Sequence, residues 1–229
     1  MTEQIFTNAK LVLANEVIDG AVQIKDGLIT DVSDRPSNIA GAEDMGGDYL
    51  MPGLVELHTD NLEKHLTPRP KTRWPATAAV VAHDNQVASA GITTVFDAIS
   101  VGDVTDGSER IERLIESVTA LEHALENQLL RADHKLHLRC ETSYGGLIEA
   151  LDNLVDLPLV KMLSVMDHTP GQRQFVSLDA YYTYYQGKYG MSDEEMRKFI
   201  ASRKRDSELY SVKHRRHVVD LAHAKNLAL

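Results

Sequence analysis

An α/β fold with a parallel sheet is predicted by three features of the sequence. After residue 52, short apolar strand candidates alternate four times with helical stretches, the order that a parallel sheet with crossover helices needs. The last of these strands, Leu159 to Met166, has little polarity, as expected of a strand covered on both faces. The residues before 52 read instead as strands and turns, which sets a small β domain, residues 1–51, apart from residues 52–229. A (β/α)8 TIM-type barrel is the architecture this alternation predicts. The 178 residues from Pro52 to Leu229 are too few to complete one, since a barrel takes about 250 residues and each βα unit on the order of 30. The expectation is a partial barrel of about four units behind a small β domain.

The elements follow in order. Ile5 to Leu13 is apolar and β-prone, and Ala21-Val22-Gln23-Ile24-Lys25 alternates. Asp26-Gly27 is a hairpin-turn signal before Leu28-Ile29-Thr30-Asp31-Val32. Residues 35–48 hold one proline and three glycines and read as a loop, and Tyr49-Leu50-Met51 steps into Pro52-Gly53. Leu54 to His58 is the first barrel strand. Pro75 suits the first turn of a helix and Gly91 its end. Ile92 to Phe96 is the second strand. Ile111, Leu114, Ile115, Val118, Leu121, Leu125 and Leu129 recur at helical spacing over about 108–131, with Ser108 as N-cap. Lys135 to Glu141 is the third strand, and a short helix is expected at about 145–155. Ser192-Asp193-Glu194-Glu195 is a capping box that opens a helical region through about 226.

Composition narrows the class of function. The chain carries 24 Lys and Arg against 34 Asp and Glu, and this acidity argues against a general nucleic-acid binder. The balance is uneven, with nine Lys and Arg against three Asp and Glu in residues 197–229. No window approaches the ~18 consecutive apolar residues of a membrane span. The acidic start Met1-Thr2-Glu3-Gln4 does not read as a secretory signal. The single cysteine, Cys140, fits a reducing cytoplasm and reads as an inert buried thiol.

The chemistry is expected at the end of the first barrel strand. In Pro52-Gly53-Leu54-Val55-Glu56-Leu57-His58-Thr59-Asp60-Asn61, a His and an Asp stand two apart, so both can face one spot. Imidazole nitrogen and carboxylate oxygen are ordinary ligands for Zn²⁺, and in a parallel barrel that spot is the C-terminal rim, where active sites form. The plain alternative is a strand-end His with an Asp capping the next turn; spacing alone leaves both open. Arg69, Lys71 and Arg73 then follow on a proline-punctuated loop, with Asn61, Lys64 and His65 nearer the strand end. Guanidinium forks match phosphate oxygens, so this loop is a candidate anion site; its alternative is a solvated surface.

Met51-Pro52-Gly53-Leu54-Val55 with a strand-end His, behind a small β unit, resembles the amidohydrolase superfamily. The longer run His58-Thr59-Asp60-Asn61-Leu62-Glu63-Lys64-His65, with Pro68-Arg69-Pro70, is similar to the branch that serves phosphonate catabolism in the carbon–phosphorus lyase pathway. Ala90-Gly91-Ile92-Thr93-Thr94-Val95-Phe96-Asp97-Ala98, His137-Leu138-Arg139-Cys140-Glu141 and Met166-Asp167-His168-Thr169-Pro170-Gly171-Gln172 extend the resemblance over the whole chain.

The resemblance implies metal-dependent hydrolysis of a phosphoric anhydride, with alpha-D-ribose 1-methylphosphonate 5-triphosphate going to the 5-phosphate and pyrophosphate. It implies one or two divalent ions, Zn²⁺ foremost, held by His58, Asp60, Glu141 and His168, and a small-molecule triphosphate met by Asn61, Lys64, His65, Arg69 and Arg73. This chain has Asp60 where the superfamily usually has a second His. The superfamily also takes two His and an Asp from later strands, so the chain compares with the first half of such an enzyme or slightly more, and no catalytic base is assigned within it. Two alternatives stay open: an amidohydrolase acting on a cyclic amide or a base, and an incomplete half that self-associates or pairs with a complementary chain. Asp97 is expected at the same cavity, as an N-cap, or as a support for a ligand His. His214, His217 and His223 are expected on a solvated basic helix, and the tyrosines from Tyr181 to Tyr189 in packing.

Overall fold

The computed structural model describes residues 2–69, 72–103, 110–171 and 177–229. They form two compact units, Met1–Gly53 and Leu54–Leu229.

The first unit is a five-stranded sheet. β1 (Glu3–Val12) pairs antiparallel with β2 (Val17–Lys25), which pairs antiparallel with β3 (Leu28–Ser33). The short strands β4 (Glu43–Asp44) and β5 (Tyr49–Leu50) lie in succession, parallel, on the other edge of β1. Thr7, Ala9 and Leu11 alternate inward along β1, and Ala9, Leu11 and Val22 pack with Ile18, Ile24, Met45 and Leu50. Asp26 and Gly27 both take positive φ (51° and 80°), the I′ geometry whose twist matches antiparallel strands. Gly20 is dictated by close approach: a Cβ there would stand 1.9 Å from the Ser33 carbonyl oxygen. The loop expected at 35–48 contains β4.

The second unit is a curled, all-parallel four-stranded sheet, half of a (β/α)8 barrel. β6 (Leu54–Thr59), β7 (Ile92–Val101), β8 (Asp133–Glu141) and β9 (Val160–Met166) pair in chain order. Between β6 and β7 run α1 (Asn61–Leu66) and α2 (Ala76–Ser89), and between β7 and β8 runs α3 (Arg110–Glu126). α4 (Leu147–Asp152) precedes β9. After β9 come α5 (Leu178–Tyr189), α6 (Asp193–Asp206), a π-helical turn (Ser207–Ser211) and α7 (Val212–Lys225). The Ser192/Glu195 capping box closes as expected. α1 and α5 were not anticipated as helices, and the Ser108 cap lies outside the described residues.

Alternation fixes which side chains meet the helices. On β7, Ile99 and Val101, and on β8, Leu136, Leu138 and Cys140 join Val80, Leu114, Val118, Leu121, Leu151 and Val218 in one helix-facing core. The intervening β8 residues His137, Arg139 and Glu141 therefore point to the opposite, inner face. Beyond β9, Asn226 ends α7 in the left-handed region, and Ala228 then bridges β9 in parallel through Leu163 N to Ala228 O (2.9 Å) and Ala228 N to Lys161 O (3.1 Å). At the other edge, Leu54, Val55 and Leu57 of β6 are more than half exposed.

Candidate functional site

β6 delivers His58 and, one residue past its end, Asp60. His58 Nε2 lies 3.6 Å from Asp60 Oδ1. Donors held by one ion at about 2.1 Å in a tetrahedron lie about 3.4 Å apart, a separation close to that of this pair. Asp60 Oδ1 also accepts from Arg139 Nη1 at 2.6 Å. The His58 ring meets the His137 ring edge-on at 5.1 Å. His137 Nδ1 lies 3.2 Å from the Leu57 carbonyl and Nε2 2.7 Å from Ser164 Oγ. Burial holds the His137 pKa below the ordinary imidazole value, with the adjacent His58 and Arg139 charges acting in the same direction. A neutral His137 then donates from Nδ1 to Leu57 and accepts the Ser164 hydroxyl at Nε2.

Glu141 and His168 form a second pair. Glu141 ends β8 and is buried; its Oε1 accepts from Ser143 Oγ (2.7 Å) and from the His168 backbone N–H (3.3 Å). Its Oε2 meets His168 Nδ1 at 2.5 Å, a hydrogen-bond separation. The four expected ligands are thus placed as two pairs and not as a single cluster. The turn that carries His168 is clamped from α7's side. Asp167 Oδ2 accepts from Ser207 Oγ (3.2 Å) and Ser211 Oγ (3.0 Å), the two ends of the π-helical turn, and Oδ1 accepts from the Thr169 N–H (3.0 Å). Burial alone pushes the Asp167 carboxyl up, but these hydrogen bonds outweigh it and hold the group below the usual carboxylate range.

Beside Asp60 lies a cleft of about 380 Å³ at the C-terminal ends of β6, β7 and β8. Among the described residues four cations line it: Lys64 from α1, Arg73 from the following loop, Arg113 from α3 and Arg139 from β8. Three described carboxylates accompany them, with Asp60 on Arg139, Glu116 on Arg73, and Glu63 also in the lining. Of the expected substrate contacts, Lys64 and Arg73 enter this cleft. Asn61 accepts from Lys64 Nζ at 3.1 Å and so steadies it. Arg69 turns back to Thr72 Oγ1 (3.1 Å), and His65 turns to Gln86 on α2 (2.9 Å), so neither lines the cleft. Lys71 lies outside the described residues. Arg113 and Arg139 line the cleft in addition to the expected substrate contacts. Arg139 shares the period-two face of His137 and Glu141, which is a legible signal, whereas Arg113 sits on an amphipathic helix, where no local pattern marks it.

Asp97 departs from the expectation of a rim position. It lies mid-strand on the helix-facing side, fully buried between His83 Nε2 and His134 Nδ1, both at 2.7 Å. Among the described residues, His83, Asp97 and His134 are the group whose three ligand atoms fall within 4.8 Å. At 2.7 Å the atoms are in hydrogen-bond contact, as the Glu141 and His168 pair is. Burial pushes the Asp97 carboxyl up, but hydrogen bonds from His134 and then His83 hold it below its usual range. Burial pushes His134 down, but its bonds to Asp97 and Asp84 raise it. The Asp97 and His134 pair is thereby biased toward its ionised form, and the three side chains together tie α2 to the sheet inside the core. Asp84 extends it, accepting from the backbone N–H groups of Arg131 (3.0 Å) and Ala132 (2.9 Å) ahead of β8. His214 also departs from the expected solvated helix face. It is buried, bonded to the Thr142 carbonyl (3.1 Å) and stacked on Tyr210.

No family model matches the chain. It is 41% identical over 225 residues, 98% of its length, to the alpha-D-ribose 1-methylphosphonate 5-triphosphate diphosphatase of Escherichia coli (strain K12), and it spans 60% of that protein's length. The resemblance read from the sequence thus holds over nearly the whole chain. Among solved structures, the 5-methylcytosine deaminase of Klebsiella pneumoniae aligns over 98% of this chain and 64% of its own, with a TM-score of 0.51 and 13% identity, a likeness of fold. L-hydantoinase from Arthrobacter aurescens aligns over 98% of this chain and 50% of its own, with a TM-score of 0.48 and 15% identity.

Proposed function

We propose that this chain carries the metal-binding and phosphate-binding part of a hydrolase that cleaves alpha-D-ribose 1-methylphosphonate 5-triphosphate to the 5-phosphate and pyrophosphate in phosphonate catabolism. The observation that carries the reading is the His58/Asp60 pair, spaced at 3.6 Å for one divalent ion, in a chain 41% identical to a diphosphatase of that name.

His58 and Asp60 would hold the ion, Zn²⁺ foremost, and Glu141 and His168 would complete a site for one or two ions. A divalent ion there would lower the pKa of bound water to near neutrality and polarise a phosphoryl oxygen. His137 stays neutral and packs its ring against His58, which fixes the imidazole plane. Lys64, Arg73 and Arg139 face the triphosphate and offset the charge that grows on the departing oxygens. In the reaction a water oxygen bonds to the α-phosphorus as the bond from that phosphorus to the bridging oxygen breaks; pyrophosphate leaves with the bridging oxygen, the 5-phosphate keeps the water oxygen, and the water protons pass to solvent.

A covering partner belongs to the same proposal. Parallel sheets are covered on both faces and closed or flanked at their edges, whereas Leu54, Val55 and Leu57 of β6 are exposed. A second copy or a complementary chain covers them. No helix among the described residues is long and apolar enough to cross a membrane, and the lone free, buried cysteine suits the cytoplasm. The test is metal content and pyrophosphate release, measured together on the parent and on His58→Asn and Asp60→Asn. Stoichiometric metal in the parent and its loss in both variants is expected. Undiminished metal in the variants overturns the reading.

A further inference from the structure

The cleft beside Asp60 has more cationic machinery than an ion site needs, and its residues come from four different elements. Lys64, Arg73, Arg113 and Arg139 converge from α1, the loop after it, α3 and β8. Its volume of about 380 Å³ lies within the ~300–1,000 Å³ of small-ligand clefts. Arg73 is paired with Glu116 and Arg139 with Asp60, so two guanidinium forks are already aimed and held. Among the described lining residues, four cations stand against three carboxylates. A diphosphate is longer than a single phosphate and offers its oxygens to more of these dispersed cations at once.

We propose that this cleft is a diphosphate subsite, which receives the β- and γ-phosphates of the substrate and holds pyrophosphate after cleavage, with Arg113 and Arg139 as specificity-determining contacts. The proposal rests on the phosphoric-anhydride reading above and adds to it where the leaving group sits. Arg139 is shared between two tasks. Bound to Asp60 Oδ1 at 2.6 Å, it occupies an oxygen that also faces His58. When a cation claims Asp60, the guanidinium is released toward the cleft, so ion binding and diphosphate binding favour each other. Arg69, by contrast, is spent on Thr72 within its own loop.

The test is calorimetric titration of inorganic pyrophosphate, and separately of orthophosphate, into the metal-stripped chain at fixed salt. Saturable binding of one pyrophosphate, tighter than orthophosphate, is expected. Arg113→Gln and Lys64→Gln each weaken it about tenfold, and Arg113→Lys weakens it less. Lys198→Gln, on the exposed face of α6, leaves it unchanged. Asp60→Asn binds pyrophosphate more tightly, because it frees Arg139 and removes a negative charge. Absence of saturable binding, an equal loss in Lys198→Gln, or a loss in Asp60→Asn overturns the proposal. Zinc titration of the same panel keeps the two readings apart. Asp60→Asn loses zinc while gaining pyrophosphate, and Arg113→Gln keeps zinc while losing pyrophosphate. A parent that binds pyrophosphate but no zinc refutes the metal reading and leaves the anion subsite standing.

Discussion

Histidine and carboxylate side chains meet at four places among the described residues of the second unit. His58 and Asp60 stand 3.6 Å apart, as do His217 and Asp152 between α7 and the end of α4, whereas His168 and Glu141 stand at 2.5 Å and His83, Asp97 and His134 are joined at 2.7 Å. The two shorter spacings are direct hydrogen bonds; of the two longer ones, His58/Asp60 lies at the C-terminal end of a sheet strand. The buried triad makes a stability prediction with a defined sign. Asp97 is held below its unfolded value, so its contribution is present above about pH 4 and is lost as pH falls through its folded pKa. His134 is held above its unfolded value, so its contribution is full below about pH 6.5 and is lost as pH rises through its folded pKa. Thermal midpoints of the parent and Asp97→Asn should therefore differ most between about pH 4 and 6.5 and converge on either side. A difference that grows above that window contradicts an ionised Asp97 and His134 pair. Cys140 gives a second residue-level prediction. Burial pushes its thiol up to about 12, so a thiol-specific reagent at pH 8 should not label the native chain and should label it fully in denaturant.

At the scale of elements, the strand-end signals were legible because alternation and turn chemistry are local. Asp26-Gly27 announced the I′ hairpin, Ser192 with Glu195 announced the start of α6, and the His58-Thr59-Asp60 spacing announced a shared face. What stayed hidden depends on packing between distant segments. The tyrosines showed α5 only once Tyr181 and Tyr185, one helical turn apart, could be seen buried against Met196 and Phe199. His214 reads as exposed among Lys213, Arg215 and Arg216, yet the π-helical turn before α7 rotates it inward to the Thr142 carbonyl. π-turns insert one residue into a helix and re-aim the side chains beyond it; here the turn also brings Ser207 and Ser211 to Asp167. Replacing both serines by alanine strips two hydrogen bonds from a half-buried carboxylate. Urea unfolding should show a loss of about 1–3 kcal/mol, together with weaker metal binding than the parent. Unchanged metal affinity would show that the clamp serves the fold alone. Gly20→Ala tests the first unit: a methyl group 1.9 Å from the Ser33 carbonyl forces β2 from β3 and should cost about 1–3 kcal/mol in the same assay.

For the whole molecule, the order of elements was readable because each βα unit repeats the same pattern, and counting residues already limited the barrel to about four units. The structure agrees: β6 to β9 pair in sequence, and Ala228 takes up a strand position beside β9. The curled sheet leaves β6 with an open edge and exposed apolar side chains, and this sets the expected behaviour in solution. Sedimentation of the parent should show concentration-dependent association, and Leu57→Lys, which puts a charge on that strand, should shift the equilibrium toward monomer. A parent that stays monomeric at all concentrations would show that the edge needs no cover. The Arg113 contribution was invisible in one dimension for the same reason that the edge is: both depend on which elements the parallel sheet sets side by side.

The central claim is that His58 and Asp60 grip one divalent cation at the end of β6. Cobalt substitution tests it most directly, because the visible absorption of Co²⁺ reports the number and type of its ligands. A saturable spectrum of low coordination number is expected in the parent, with loss in both Asp60→Asn and His58→Asn and retention in His83→Asn. A spectrum that survives the first two substitutions and vanishes in the third would move the ion from the end of β6 to the buried triad.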